Sequence, residues 1–169
     1  MARVDFAAVV HEHWTAVYKL LQTLTNNRHD TEDLTQETFL RALAKLDTFL
    51  ADTNLRAWLL RIASNAYFDV HRKRSRIAMQ PLTDLPGKPE SPGRALEINE
   101  DGERIRKALG ELSETTRMVF HLRVAEDLAF REIGQVVGVS EEAARWHMHQ
   151  ARTRLLTSVS DLKPETGTP

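Results

Sequence analysis

The sequence predicts an all-α protein made of two small helical domains joined by a flexible, Pro-rich linker, and three observations predict it. Apolar residues recur at helical spacing through most of the chain, with no sustained alternation of the kind a half-buried strand needs. Glycine is sparse outside residues 87–138, so turn signals are few. Four of the six prolines, Pro81, Pro86, Pro89 and Pro92, crowd into Met79–Ala95, a stretch hostile to helix because proline lacks the backbone donor and clashes with the preceding turn. A chain of 169 residues suits one ordinary domain or two small ones. The proline cluster favours two: residues 1–76 and 97–160, separated by 77–96 and followed by a tail at 161–169.

The N-terminal stretch places Phe6, Val9, Val10, Trp14, Val17, Tyr18 and Leu21 on one helical stripe, and lacks the continuous apolar run of a signal peptide. It reads as a folded first helix. A second helix begins near Asp30, where Asp30, Glu32, Asp33 and Glu37 crowd its start and Leu34, Phe39, Leu43 and Leu46 are expected to face the core. Acids suit the positive end of a helix, although that benefit does not by itself account for four of them. A third helix, Asn54–Arg74, repeats Leu55, Trp58, Leu59, Ile62, Ala66 and Val70 at core spacing. It leaves Arg56, Arg61, Arg72, Lys73, Arg74 and Arg76 outside, with Asn65, Tyr67 and Phe68 between them. Basic charge interleaved with aromatic rings suits single-stranded nucleic acid.

The proline-rich stretch is long enough to matter. At about 3.1 Å per residue in an extended polyproline-like form, seventeen residues reach roughly 50 Å, or about fifteen base pairs of B-DNA at about 3.4 Å each. A short helix follows around Glu103–Leu109, and three further helical elements come after it. The last two have the form of a helix-turn-helix. Ile133, Val137 and Val139 supply apolar contacts, Gly134 allows close helix packing, and Gly138 suits a left-handed turn. Ser140 is placed to cap the final helix, with Glu141 and Glu142 in its first turn. From Ala143 onward, Ala144, Met148, Ala151 and Leu155 form the inner stripe, and Arg145, His149 and Arg152 form the stripe expected to meet DNA. Arg145 lies where a recognition helix approaches base edges, and Arg152 and Arg154 suit phosphates.

Composition narrows the function classes. The absence of cysteine excludes disulfides and thiolate metal sites, and no apolar run of about twenty residues predicts membrane insertion, so a cytoplasmic protein is expected. The net charge of −1 hides a strong polarity. Residues 1–40 carry three basic against six acidic side chains, and residues 41–76 carry eight against three. Separate faces for a protein partner and for DNA are compatible with that division. His147 and His149 lie about 200° apart on an ideal helix, so they do not form one ligand face, and His11 and His13 lack a carboxylate or cysteine framework. No metal, no cofactor and no catalytic residue is expected: the paired acids sit on a solvated helix without nucleophile or phosphate-cradling loop.

Two linked patterns carry a resemblance. Asp30, Glu32, Asp33, Leu34, Gln36, Glu37, Phe39, Leu40, Arg41 and Ala42 follow D-x-E-D-L-x-Q-E-x-F-L-R-A. Trp58, Leu59, Arg61, Ile62, Ala63 and Asn65 follow W-L-x-R-I-A-x-N. Together they resemble region 2 of bacterial sigma factors, especially the extracytoplasmic function (ECF) group of the sigma-70 family. The C-terminal segment, with its G-V turn and Ala151, Arg152, Arg154 and Leu155 at the A-R-x-R-L end, resembles region 4 of the same proteins. The resemblance implies a specificity subunit that binds bacterial RNA polymerase core and directs it to promoter DNA. It assigns Asp33, Gln36, Glu37 and Leu40 to the clamp helices of the polymerase's largest subunit. It assigns Arg61, Asn65, Arg72, Lys73 and Arg74 to the melted minus-10 element, with Asn65 either reading a base or capping and packing its helix. Glu141, Glu142, Arg145, His149, Arg152 and Arg154 fall to the minus-35 duplex. A possible anti-sigma factor is a further implied partner.

The sequence also departs from the family pattern. His147 and Gln150 stand at two usual arginine positions, and both lack the permanent charge and bidentate fork of arginine. Trp146 stands where a small polar residue is usual, with local packing favoured over contact with DNA or another protein. These changes leave room for a second reading, a sigma-mimicking module that sequesters an anti-sigma factor. The basic region around Asn65 and Arg72–Arg76 speaks against it, since a mimic needs only the protein-binding surfaces. A stand-alone helix-turn-helix repressor would not need the acidic helix.

Overall fold

A computed structural model describes residues 5–49, 53–78 and 100–160, and among these every regular element is helical. The chain divides into two compact units. The first carries α1 (Phe6–Thr25), α2 (Arg28–Ala44), a short 3-10 turn (Leu46–Thr48) and α3 (Leu55–Ala78). The second carries α4 (Glu100–Gly110), α5 (Glu114–Val124) and α7 (Glu141–Ser160), with α6 (Phe130–Val137) between the last two. Of the expected linker, 77–96, residues 77 and 78 instead complete α3, because no proline stands before Pro81 to stop the helix; the rest of it and the tail, 161–169, lie outside the described residues.

Local signals set the ends of the first two helices. Asp5 caps α1, its carboxylate accepting from the backbone N–H groups of Ala7 and Ala8 at 3.1 and 3.4 Å. Asn26 then takes a left-handed conformation, φ 50°, and ends the helix. Asn27 caps α2 by accepting from the Asp30 N–H at 3.0 Å. The tight Asn26–Asn27 turn therefore folds α2 back onto α1.

The core of this three-helix unit is Val17, Leu20 and Leu21 of α1 against Leu59, Leu60, Ala63 and Ala66 of α3, all fully enclosed. From α2 comes a row that apolar periodicity overlooks: Thr31, Thr35 and Thr38 are all fully buried. Each hydroxyl donates to the carbonyl four residues earlier, at 2.7 Å, which satisfies it inside the helix and leaves its methyl group to pack. Leu34 and Phe39 are buried as expected, and the Phe39 ring stacks on Trp14 at 5.5 Å. Leu43 is not: it lies on the outward face of α2 and is 51% exposed, and Leu46 is half-buried in the 3-10 turn because α2 ends at Ala44. In α3, Leu55, Trp58 and Val70 are half-buried at the margin, with Trp58 covered by Phe49 at 5.2 Å.

In the second unit, α4 and α5 each pack on α7. Ser113 caps α5 through the Thr116 N–H at 3.2 Å, and Ser140 caps α7 through the Ala143 N–H at 3.0 Å. Ala144, Met148 and Ala151 are the buried face of α7, as its periodicity predicts, and Leu155 is half-buried. They share the unit's core with Met118, Val119, Leu122 and Ile133. Gly134 of α6 and Gly138 of the turn each have a physical reason. A Cβ on Gly134 would lie 2.6 Å from the Val139 carbonyl oxygen, and Gly138 adopts φ +81°. The α6–α7 pair is a helix-turn-helix whose connecting turn lies too close to α6 for any side chain at residue 134.

Candidate functional site

Two surfaces, one on each unit, carry the residues singled out from the sequence. On the first unit, Asp33, Gln36, Glu37 and Leu40 fall at i, i+3, i+4 and i+7 along one face of α2. Asp33 and Gln36 are exposed, Glu37 is half-exposed, and Leu40 is 64% exposed, an apolar side chain with no reason to face water in an isolated unit. Leu43, the expected core residue, extends this outward row.

The acidic quartet divides by partner. Asp30 clamps Arg74 of α3 with two hydrogen bonds, Nη1 to Oδ2 at 2.8 Å and Nη2 to Oδ1 at 2.9 Å. Glu32 accepts from Arg28 at 2.8 Å, and Asp33 lies 3.6 Å from His29. Glu37 begins a relay: it accepts from Arg41 Nε at 2.7 Å, Arg41 Nη1 donates to Asp69 of α3 at 2.9 Å, and Asp69 also accepts from Arg72 at 2.8 Å. Hydrogen bonds from these arginines hold two carboxyls below the usual carboxylate range, Asp30 through Arg74, and Asp69 through Arg41 and then Arg72; partial burial opposes both shifts. An ion-paired ladder thus joins the acidic face of α2 to the basic end of α3.

That basic end presents Arg72, Lys73, Arg74 and Arg76 in exposed positions, and Asp69, Arg72, Lys73, Arg76 and Ile77 line an open groove of about 520 Å³. Asn65 and Arg61 are exposed about two and three turns before Arg72. Exposure of Asn65 rules against the buried packing role. Tyr67, in contrast, is buried at 7% exposure and stacks on His71, with Phe68 against its edge, so it belongs to the core margin and not to the open aromatic surface.

On the second unit, Glu141, Glu142, Arg145, His149, Arg152 and Arg154 are all exposed along α7. Arg145 is held twice: it donates to Glu141 at 2.5 Å, and its guanidinium lies 4.8 Å from the centre of the Phe130 ring. Arg154 pairs with Glu111 at the end of α4. His147 turns inward, its Nδ1 2.8 Å from the Thr116 hydroxyl, and burial pushes its pKa down, away from the charged form. At the position where the family pattern carries arginine, this chain therefore has a neutral helix-to-helix hydrogen bond. Trp146 touches the His147 ring at 4.9 Å but is 57% exposed, so the expected packing is confined to one edge.

Sequence reading missed Asp69, Arg41, Thr116 and Phe130. The Glu37–Arg41 spacing of four was available as a signal. The long-range partners, Asp69 for Arg41 and Thr116 for His147, depend on helix packing and leave no local trace. Among the described residues no group of acidic or histidine side chains is arranged to hold a metal ion, and no helix is long and apolar enough to cross a membrane.

Comparison with known proteins agrees with this arrangement. Residues 9–77 match the family described as Sigma-70 region 2, and residues 102–155 match Sigma-70, region 4. The chain is 32% identical to the ECF RNA polymerase sigma factor SigE of Mycolicibacterium smegmatis over 94% of its own length and 63% of that protein's. It is 30% identical to the ECF RNA polymerase sigma factor EcfG of Rhodopseudomonas palustris, over 79% of this chain and 73% of that one. Among solved structures, the sigma factor RpoE of Bartonella quintana, crystallised with the anti-sigma factor NepR, superposes with a TM-score of 0.73 at 25% identity, covering 92% of this chain and 97% of that one. With two region matches in family order, each on its own helical unit, and an EcfG relative matched over most of both chains, the chain belongs to the sigma-70 family of RNA polymerase sigma factors, in its ECF group.

Proposed function

We propose that this protein is a specificity subunit of RNA polymerase: it binds the core enzyme and directs it to a particular class of promoters. It is an initiation factor and not an enzyme. The observation that carries the reading is the juxtaposition in the first unit of an exposed acidic and apolar row on α2 with the basic end of α3. One face suits a protein partner and the other a nucleic acid.

In this assignment Asp33, Gln36, Glu37 and Leu40 meet the polymerase clamp helices. Exposed Leu40 supplies the apolar contact at the centre of a polar rim, the usual anatomy of a protein interface. Arg61, Arg72, Lys73 and Arg74 hold phosphates of the melted minus-10 strand, and Asn65, with both donor and acceptor, reads a base there. The second unit takes the minus-35 duplex, with Glu141, Glu142 and Arg145 near base edges and His149, Arg152 and Arg154 along the backbone. Residues 79–96 tether the two domains, and a cytoplasmic location accompanies the role. An anti-sigma factor is a further proposed partner, and the Bartonella protein was crystallised with one, NepR.

Charge reversal tests the core assignment. The Asp33→Lys, Glu37→Lys double variant should keep its helical circular dichroism and lose binding to purified core polymerase. Retained core affinity in a folded double variant contradicts the assignment.

A further inference from the structure

Phe130 is the first residue of α6 and is half-buried. Two guanidinium groups lie over its ring, Arg145 of α7 with its Cζ at 4.8 Å from the ring centre and Arg123 of α5 at 5.3 Å. The ring therefore joins α5, α6 and α7. Its own position is fixed from behind, because the start of α6 is capped by Glu132, which accepts from the Ala129 N–H at 3.0 Å. Arg123 is fixed as well, donating to the Leu128 carbonyl at 2.9 Å.

Arg145 has most to gain from this platform. Its side chain is 59% exposed, and a free arginine on a helix surface samples many rotamers that ordering would remove. Base reading needs the opposite, a guanidinium fork aimed in one plane at the edge of a base pair. The Phe130 face and the Glu141 carboxylate restrict Arg145 from two sides before any DNA arrives, which lowers the ordering cost of binding. Glu141 alone would not achieve this, since an exposed carboxylate attracts a cation without fixing the plane of the guanidinium, whereas an aromatic face favours a restricted set of approaches.

We propose that Phe130 is a positioning residue for promoter specificity: its ring presets the Arg145 guanidinium for one base pair of the upstream promoter element. The inference rests on Arg145 reading a base. It separates Phe130 from the phosphate-binding residues, whose loss weakens every sequence alike.

The test uses holoenzyme reconstituted from core polymerase and the full chain, incubated with promoter fragments in which the upstream element is randomised, and the bound fraction is sequenced. Arg145→Ala should flatten the preference at one base pair. Phe130→Leu should flatten that same base pair by about threefold, in keeping with a partly exposed cation–π contact, and Phe130→Tyr, which keeps the ring face, should retain the preference. Arg145→Ala combined with Phe130→Leu should be no flatter than Arg145→Ala alone. Phe130→Met serves in place of Phe130→Leu if circular dichroism shows the latter unfolded. A profile that Arg145→Ala changes and the folded Phe130 variant leaves intact, or weakens equally at every position, overturns the inference while leaving Arg145 as a base reader. A profile unmoved by Arg145→Ala overturns both.

Discussion

Removing the Asp30–Arg74 clamp should destabilise the first unit and, at the same time, tighten its grip on DNA. The pair is bidentate, at 2.8 and 2.9 Å, but only its acid is well shielded: the Asp30 side chain is 24% exposed and that of Arg74 is 53% exposed. Exposed ion pairs contribute about 0.2–1 kcal/mol, and bidentate geometry places this one near the upper end. Asp30 also sits in the first turn of α2, where the helix dipole adds about 0.3–1 kcal/mol. Asp30→Ala should therefore cost about 1–2 kcal/mol, or a fall in melting temperature of several degrees at about 4–8 °C per kcal/mol for a unit of this size. A double-mutant cycle with Arg74→Ala separates the two effects, and the pair itself should account for about 0.5–1 kcal/mol of coupling. Because Arg74 must leave Asp30 before it can hold a phosphate, Asp30→Asn should raise affinity for promoter DNA of any sequence about two- to fivefold, the same 0.5–1 kcal/mol released. The assays are thermal unfolding by circular dichroism and holoenzyme binding to several promoters. Zero coupling, or lower DNA affinity in Asp30→Asn, would refute the reasoning.

Three further outcomes follow from particular contacts. Gly134→Ala should destabilise the second unit by about 1–3 kcal/mol in chemical denaturation, because its Cβ would collide with the Val139 carbonyl at 2.6 Å. His147, whose pKa is lowered below 6.5 in the folded protein, stabilises the fold fully above pH 6.5. That contribution is lost as pH falls below 6.5 toward the folded value, since the unfolded chain then binds the proton more readily. His147→Gln should therefore be less sensitive than the wild type to lowering the pH from 7.5 to 5.5, as compared by urea titration. Lys73→Ala should weaken binding to all promoters nearly uniformly and reduce the salt dependence by about one counterion, read from affinity against salt concentration.

The helix-turn-helix was legible because its signals are local. Gly134 announces a close packing contact, Gly138 a turn and Ser140 a cap, and the Ala144, Met148 and Ala151 stripe needs only a period of 3.6 residues. The second helix was harder. Its buried face is Thr31, Thr35 and Thr38, which count as polar in any hydropathy pattern, and their burial depends on hydroxyls returning to the backbone of their own helix. Assigning the core to Leu43 and Leu46 was the consequence. Ion pairing shows the same division. Each acid at the start of α2 was visible, but the partners of Asp30 and of Arg41 lie 44 and 28 residues away and are chosen by how α2 meets α3. His147 reads as a lost arginine in the sequence, and only the packing of α5 on α7 reveals the hydrogen bond that replaced it.

Run-off transcription with purified core polymerase, with and without the full chain, on a pool of genomic promoter fragments from the organism that carries it, tests the central claim most directly. Promoter assignment to the two units predicts chain-dependent transcripts whose start regions align on two conserved elements. Core binding in the absence of any chain-dependent transcript would contradict a role in directing initiation and would turn the same surfaces toward sequestration of an anti-sigma factor.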